Sequence, residues 1–384
     1  MSDLRFAIIG IGNMGTAHAK SLQEGKVPGA TLTAICDSLP EKLERVNGVE
    51  KFADPQQLLE AKVADAIVIA TPHYDHTTLG IEALQAGYHV LVEKPISVHK
   101  ADCERLLAAH TNPKQVFAAM FNQRTDPRYQ KLRALIQNGD LGTINRIQWT
   151  ITDWFRTAHY YASGGWRATW QGEGGGVLLN QCPHQLDLFQ WLFGMPQRVR
   201  AFCHYGKFHE IEVEDDVTAY LEYASGCTGV FITTTGEAPG TNRLEIAAEN
   251  GKVIVEGDTF AWTRNQVPTA QHSASEPSSF SKPETERLNV EVSGKAEQHV
   301  GIFKNFVAAI QGEAELLAPA AEGTHSVELA NAMLYSSALG QTLDLPLDAA
   351  AYEAHLKGLI ANSNFQKKTA SNAGATADDF AQSQ

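Results

Sequence analysis

A few side chains in this sequence are of the types and spacings that do chemistry. Lys94, in the tripeptide Glu93-Lys94-Pro95, ends a short apolar run. An ammonium there can hydrogen-bond the oxygen of an alcohol or carbonyl and stabilise alkoxide charge. A second group lies in residues 173–191, where Asn180, His184 and Asp187 are spaced four and three apart. On a helix expected over 178–193 these three share one face, while Leu188 and Trp191 pack inward. A histidine can remove a hydroxyl proton near neutral pH, and a carboxamide or carboxylate beside it sets its tautomer and direction. Taken alone, such a lysine is most often in a solvated turn, and such a histidine is most often a core residue satisfied by its neighbours.

A third group is aromatic and basic: Trp154, Arg156, Tyr160, Trp166 and Arg167, between a strand and that helix. Rings stack on the C–H faces of sugars, and arginines read hydroxyls or an anionic substituent bidentately. The same composition also marks protein interfaces and small packed subcores. His204, His209, Glu210, Glu212, Glu214, Asp215 and Asp216 invite a metal reading, but no pair has zincin spacing and a carboxylate-rich edge is usually solvated. No metal is expected.

These groups need a scaffold, and residues 4–24 supply its first part: an apolar strand, a glycine turn and a helix. Gly10 permits the tight turn, Gly12 lets the backbone approach a pyrophosphate, and Gly15 lets the helix pack closely on the strand. Asn13 and Met14 complete the turn, and the amides that open the helix point at phosphate charge. A second apolar run ends in Asp37, about 22 residues after Gly15, where a carboxylate accepts hydrogen bonds from ribose hydroxyls. Ser38, Leu39 and Pro40 follow with no arginine to hold a 2′-phosphate, which favours NAD over NADP. Strands expected over 64–70, 89–92 and 115–121 alternate with helices over 77–86 and 101–110, predicting a parallel sheet with helices on both faces. Ligands then belong at the carboxyl ends of the strands, so Thr71, Pro72, His73, His76, Glu93 and Lys94 are expected along the cofactor.

The pattern changes after Phe121. A helix over 127–139 precedes strands over 144–152, 199–203, 217–223, 229–235, 244–248 and 252–256, which together read as an open, mostly antiparallel sheet. Residues 265–286 read as an exposed insertion, and helical periodicity returns over 296–311 and 322–340. The fold class is therefore α/β plus α+β: a Rossmann dinucleotide-binding domain over 1–121, a substrate and oligomerisation domain over 122–365, and a disordered polar tail over 366–384.

With 384 residues the chain can bury a substantial core. A net charge of -13 argues against nucleic acid or an anionic membrane as partner, though not against an anionic small substrate read by local arginines. The first apolar run is too short for a signal peptide, and no stretch approaches a membrane span. The five scattered cysteines read as reduced packing residues, so a cytoplasmic location is expected.

Taken together, the turn at Gly10 to Gly15, Thr71-Pro72 followed by His76, Glu93-Lys94-Pro95, Asn122 with Arg124, the run from Gly174 to Asp187, and Gly240 through Glu245 resemble the Gfo/Idh/MocA oxidoreductases over almost the whole chain. The resemblance implies that Lys94 and His184 are the catalytic pair and that substrate lies between nicotinamide and the open sheet. It adds Asn122 to the cofactor contacts and implies a homodimer or homotetramer. In the inositol-dehydrogenase pattern an aspartate stands four residues before the histidine. Asn180 here removes that negative charge, leaving a weaker base or one helped by Asp187.

The expected reaction is NAD-dependent oxidation of a secondary hydroxyl on a sugar, glycoside or cyclitol. Arg124, Trp154, Arg156, Tyr160, Trp166 and Arg167, with Asn180 and His184, are the expected substrate contacts. Two alternatives stay open. One is glycoside cleavage through transient ring oxidation, with Tyr160, Tyr161 or His159 as extra acid–base groups. The other is a non-catalytic nucleotide-sensing regulator, against which the retention of both Lys94 and His184 argues.

Overall fold

The computed structural model describes residues 3–368. The chain begins with β1 (Leu4–Ile9), α1 (Asn13–Gln23), β2 (Ala30–Cys36), α2 (Pro40–Leu43), β3 (Glu50–Phe52) and α3 (Pro55–Ala61). It continues through β4 (Ala66–Ile69), α4 (His73–Gln85), β5 (His89–Val92), α5 (Lys100–Ala108) and β6 (Phe117–Ala119). The six strands form a parallel sheet in the order β3-β2-β1-β4-β5-β6. Strand order reverses between β1 and β4, which opens a crevice at their carboxyl ends. Their near-continuous apolar runs, such as Ala66–Ile69 with every residue buried, are what a sheet covered on both faces requires.

Next come α6 (Pro127–Gln137), β7 (Ile144–Ile151), α7 (Ala158–Ala162), α8 (Pro183–Phe193), β8 (Arg198–Tyr205), β9 (Glu214–Glu222) and β10 (Thr228–Thr234). After them lie β11 (Asn242–Ala248), β12 (Gly251–Glu256), β13 (Thr259–Asn265), α9 (Thr269–Ser275) and β14 (Thr285–Asn289). The described chain closes with α10 (Gln298–Ile310), α11 (Ala320–Leu339), β15 (Leu343–Asp344) and α12 (Ala349–Asn362). The nine strands of the second sheet run β14-β13-β12-β11-β7-β10-β9-β8-β15, antiparallel except for β7 with β10. Alternation along β7 buries Ile147, Trp149 and Ile151 on one face. There Phe189 of α8 stacks on Trp149 and meets Phe231 of β10 edge-on. The opposite face is open and carries Phe202 and Tyr220.

Four expectations need correction. The helix over 178–193 starts only at Pro183, because proline disfavours helical backbone at the residue before it and suits the first helical position. Residues 178–182 are turns. The insertion over 265–286 contains α9 and the start of the edge strand β14. The second unit is not self-contained over 122–365: α10 returns to the first core, where Phe303 and Phe306 pack on Phe6. In the tail, Lys367 is tied to the carbonyls of Gly164 (2.6 Å) and Arg167 (2.7 Å). The rest of the expected tail, 369–384, lies outside the described residues.

Among the described residues no helix is long and apolar enough to cross a membrane.

Candidate active site

The glycine turn has the shape a pyrophosphate needs. Gly10 has φ +96°, a conformation L side chains rarely adopt, and a Cβ on Gly15 would lie 1.8 Å from the Gly10 carbonyl oxygen. A Cβ on Gly12 would meet nothing within 4 Å, so this side of the turn stands open. Helix α1 begins there with no side-chain cap and no acidic residue in its first turn, which leaves its dipole to an anion. Asp37, at the end of β2, accepts hydrogen bonds from the amides of Ile11 (2.8 Å) and Leu39 (3.0 Å), which fix its carboxylate beside the turn. Lys42, which the sequence reading did not weigh, lies 3.3 Å from it. These residues fit a dinucleotide.

Lys94 follows β5, and its Nζ donates to the Asn180 carbonyl (2.9 Å), bridging the two halves of the molecule. Burial lowers the ammonium's pKa, and the neighbouring Glu93 carboxylate opposes the shift. Glu93 is itself committed: His18 of α1 lies 2.6 Å from one oxygen, and the Lys94 amide donates to the other (3.1 Å). Burial alone would raise Glu93, but hydrogen bonding and charge from His18, with His299 and Lys94, hold it at about 2.

His184 stands in the first turn of α8. Burial, then the Lys94 charge, hold its pKa well below the usual value, so the ring is neutral at neutral pH. Its Nδ1 is buried and has no partner in the protein. Lys94 and His184 share a cavity of about 110 Å³ with Met14, Asn122, Trp154, Arg156, Tyr160, Asn180, Gln181 and His299 among its other lining residues.

Not every expected residue reaches this cavity. Arg124 and Asp187 are both fully buried and paired, Nε to Oδ2 at 2.7 Å; Arg124 also holds Glu322 and the Leu317 carbonyl. Asp187 takes a further bond from Gln190 (3.0 Å). A buried guanidinium captures the nearest carboxylate strongly, so Asp187 faces Arg124 instead of orienting His184, and Arg124 ties helices together instead of reading substrate. Asn180 does not bond His184 either: its amide donates to Glu173 and its oxygen accepts from Tyr160 (3.3 Å). His76 lies between the carbonyls of Thr71 (2.9 Å) and Pro95 (2.8 Å), bracing the Thr71-Pro72 turn against the Lys94 loop. His73 packs on Trp166 and faces the Glu173 carbonyl. None of His73, His76, Trp166 and Arg167 lines the cavity. Arg167 acts through Tyr160, donating to its hydroxyl (2.8 Å). Tyr161 is bonded to Thr235 (2.7 Å), and burial raises its pKa, which removes it as an acid–base group.

The sequence reading missed Gln123, Gln181, Gln298 and His299 in the lining, and His18 behind it. His18 lay within reach, three residues after Gly15 on the buried face of α1. Gln298 did not, since its φ of +53° and its bond from Asn122 (2.7 Å) carry no local signature. In the acidic stretch, His204 pairs with Asp216 (2.8 Å) and His209 with Asp215 (3.0 Å). Glu214 accepts from the amides of Gly176 (2.8 Å) and Leu178 (3.0 Å). Among the described residues no group of three or more such side chains could hold a metal ion.

A Rossmann sheet with this turn, joined to a second unit whose loops and first helical turns close a lysine–histidine cavity, has the architecture of a nucleotide-dependent oxidoreductase. Comparison with known proteins gives the family. Residues 4–121 match the oxidoreductase family with an NAD-binding Rossmann fold, and residues 129–254 match the GFO/IDH/MocA C-terminal domain. An inositol 2-dehydrogenase of Saccharopolyspora erythraea is 31% identical over 260 residues, 65% of this chain and 73% of the relative. A myo-inositol 2-dehydrogenase of Thermotoga maritima is 26% identical over 263 residues, 66% of this chain and 75% of the relative. Among solved structures, the WlbA dehydrogenase of Chromobacterium violaceum, in complex with NADH and UDP-GlcNAcA, superposes with a TM-score of 0.78 at 28% identity, covering 91% of this chain and 97% of that one. The chain belongs to the Gfo/Idh/MocA family and is an NAD(H)-binding dehydrogenase acting on CH–OH groups.

Proposed function

We propose that this enzyme oxidises a secondary hydroxyl of a sugar, glycoside or cyclitol, with NAD preferred over NADP. One observation carries the reading: Lys94 and a neutral His184, whose buried Nδ1 has no partner in the protein, line the same cavity at the carboxyl edge of the parallel sheet. Nδ1 takes the hydroxyl proton, and the two N–H groups of Lys94 not given to Asn180 stabilise the negative charge that develops on oxygen. The chemistry supplied by bound NAD is acceptance of a hydride from the carbinol carbon. Gly10, Gly12, Asn13, Met14 and Gly15 would hold the pyrophosphate and Asp37 the adenosine ribose, with Asn122 and Glu93 toward the nicotinamide. Preference for NAD is supported by the fixed Asp37 carboxylate, which repels a 2′-phosphate.

The purified protein should be screened with stoichiometric and excess NAD against free sugars, cyclitols and chromogenic glycosides, following NADH and released aglycone together. NADH formed in proportion to substrate and lost in Lys94→Ala is expected. Aglycone released many times over per NAD without net NADH would instead establish redox-assisted glycoside cleavage. Activity unchanged in Lys94→Ala would overturn the role of Lys94 at the reacting oxygen. A homodimer or homotetramer built on the open sheet face is supported by exposed Phe202 and Tyr220 there, and a monomer by light scattering would overturn it. A cytoplasmic location is supported by five free thiols.

A further inference from the structure

The cavity lining narrows the class of hydroxyl compound it takes, and Arg156 is the informative residue. Its backbone is pinned on both sides, the amide donating to the Thr235 carbonyl (2.9 Å) and the carbonyl facing His209 Nε2 (2.8 Å). His209 is in turn fixed by Asp215. The guanidinium lies against the rings of Trp154 (5.3 Å) and Tyr160 (5.2 Å), and Nη1 donates to the Phe155 carbonyl (2.9 Å). Backbone and side chain are thus held before any ligand arrives, which lowers the entropy cost of using the fork.

What this guanidinium lacks is an ion-paired carboxylate. Among the described residues no Asp or Glu oxygen lies within 4.0 Å of its nitrogens, although the chain has 44 acidic residues against 31 basic ones. The Asp153 carboxylate, which feels the Arg156 charge, is bonded to Asn242. The two buried carboxylates nearest the cavity are already engaged. Glu93 is held by His18 and the Lys94 amide, and Glu173 by Asn180 and the Ala168 amide (2.6 Å). Asn180, which also lines the cavity, adds no charge. In a strongly acidic protein this cavity therefore presents two cations, Lys94 and Arg156, against the one lining carboxylate of Glu93.

A second observation is independent of charge. Four residues of the lining each carry a side-chain polar atom that is buried without a partner in the protein: Trp154 Nε1, Asn122 Oδ1, Gln181 Oε1 and His184 Nδ1. Three can accept from hydroxyl groups, as a polyol requires. Trp154 Nε1 is a donor only, on the ring against which the Arg156 guanidinium lies, and can be satisfied only by an acceptor.

The geometry points to an acidic sugar as the substrate class, a hexuronate or aldonate, free or in glycosidic linkage, whose carboxylate is read by Arg156 with Trp154 Nε1 while Lys94 and His184 hold the reacting hydroxyl. A planar fork matches a carboxylate bidentately, and this pairing is stronger than one to a neutral hydroxyl. The inference rests on the dehydrogenase reading for the reaction, though not for the binding.

The test is calorimetric titration of full-length, NADH-loaded enzyme with D-glucuronate, D-galacturonate and D-gluconate, against D-glucose, D-galactose and D-glucose 6-phosphate. At least one acid should bind ten-fold or more tightly than its neutral counterpart. In Arg156→Gln that advantage should vanish while NADH affinity changes less than two-fold, and Arg156→Lys should restore part of it. No acid preferred over its neutral counterpart, a preference that survives Arg156→Gln, or tighter binding of the phosphate than of every acid would overturn the proposal. NAD reduction measured on the same panel separates the two readings. Neutral sugars oxidised without any acid preference would leave the dehydrogenase and discard the acidic substrate. Acids bound through Arg156 but never oxidised would do the reverse.

Discussion

The cofactor crevice and the wall opposite it are built on different principles. Around Gly10 to Gly15 and Asp37 the geometry is made by main chain: a positive-φ glycine, an open glycine, and a carboxylate held by two amides. The wall formed by residues 153–173 belongs to neither sheet and is held by groups from distant parts of the chain. Thr235 and His209 grip Arg156, Glu212 accepts from the Trp170 amide (2.9 Å), and Ser363 bonds that same Glu212. Lys367 closes on the carbonyls of Gly164 and Arg167, and Arg167 reaches Tyr160 in the cavity. Main-chain geometry positions a cofactor with little help from other side chains, whereas the substrate wall depends on residues nearly 200 positions away.

The largest expected effect sharpens this contrast. Lys94→Ala and His184→Ala should each lower kcat/KM by about 10²–10⁴-fold, while NADH affinity by fluorescence titration stays within a few-fold. An equal loss of NADH binding would mean that the halves are not separable.

Next comes pH. Burial raises the Glu214 carboxyl to about 7, despite the backbone amides it accepts. Its folded-state pKa lies above the unfolded one, so its contribution to stability is fully present below about 4.5 and is lost as pH rises through about 7. An upper bound on that change is about 3.5 kcal/mol. Because Glu214 anchors the turn that carries Asn180, Glu214→Gln should flatten the pH dependence of Tm between pH 5 and 8, measured by calorimetry. An unchanged slope would show that the carboxyl does not titrate there.

Gly15→Ala should cost about 1–3 kcal/mol in thermal stability and weaken NADH binding together, because the new Cβ meets main chain that cannot move aside. If KM for substrate rises while NADH affinity holds, the cofactor half is less self-sufficient than its geometry argues.

The smallest effect tests the wall. Lys367→Met should raise KM several-fold with kcat and NADH affinity nearly unchanged, and should speed amide hydrogen exchange over 158–167. Lys367→Arg should recover part of the effect. Exchange unaltered by Lys367→Met would detach the C-terminal segment from the site.

This contrast also explains what the sequence disclosed. The glycine turn, Asp37 and the parallel order were legible because each obeys a local rule: a φ that only glycine tolerates, a period of alternating elements, a carboxylate at a strand end. The nine-stranded sheet was legible as a run of strands, but β13, β14 and β15 were not: β14 and β15 are edge strands without a dense apolar pattern, and β13 carries only the short apolar run Phe260, Ala261 and Trp262. Helical spacing put Asn180, His184 and Asp187 on one face, but Pro183 left Asn180 in a turn and Arg124 turned Asp187 away. The first was legible, because Pro183 lies within that segment; the second depends on Arg124, which no window around residues 178–193 contains. The same holds for Gln298 and His299, which enter the cavity from the helix that returns to the first sheet.

That return has a consequence for biogenesis. Phe6 of the first strand is packed by Phe303 and Phe306, and Val327 belongs to the same core. During synthesis the amino-terminal sheet therefore waits for more than 200 further residues before its apolar surface can be sealed, roughly 10–40 s at 5–20 residues per second. Through that interval the nascent chain exposes the surface around Phe6 to the ribosome exit and to chaperones. A fragment ending at residue 121 would carry the exposure permanently, and should be recovered as an aggregate and not as a free nucleotide-binding module.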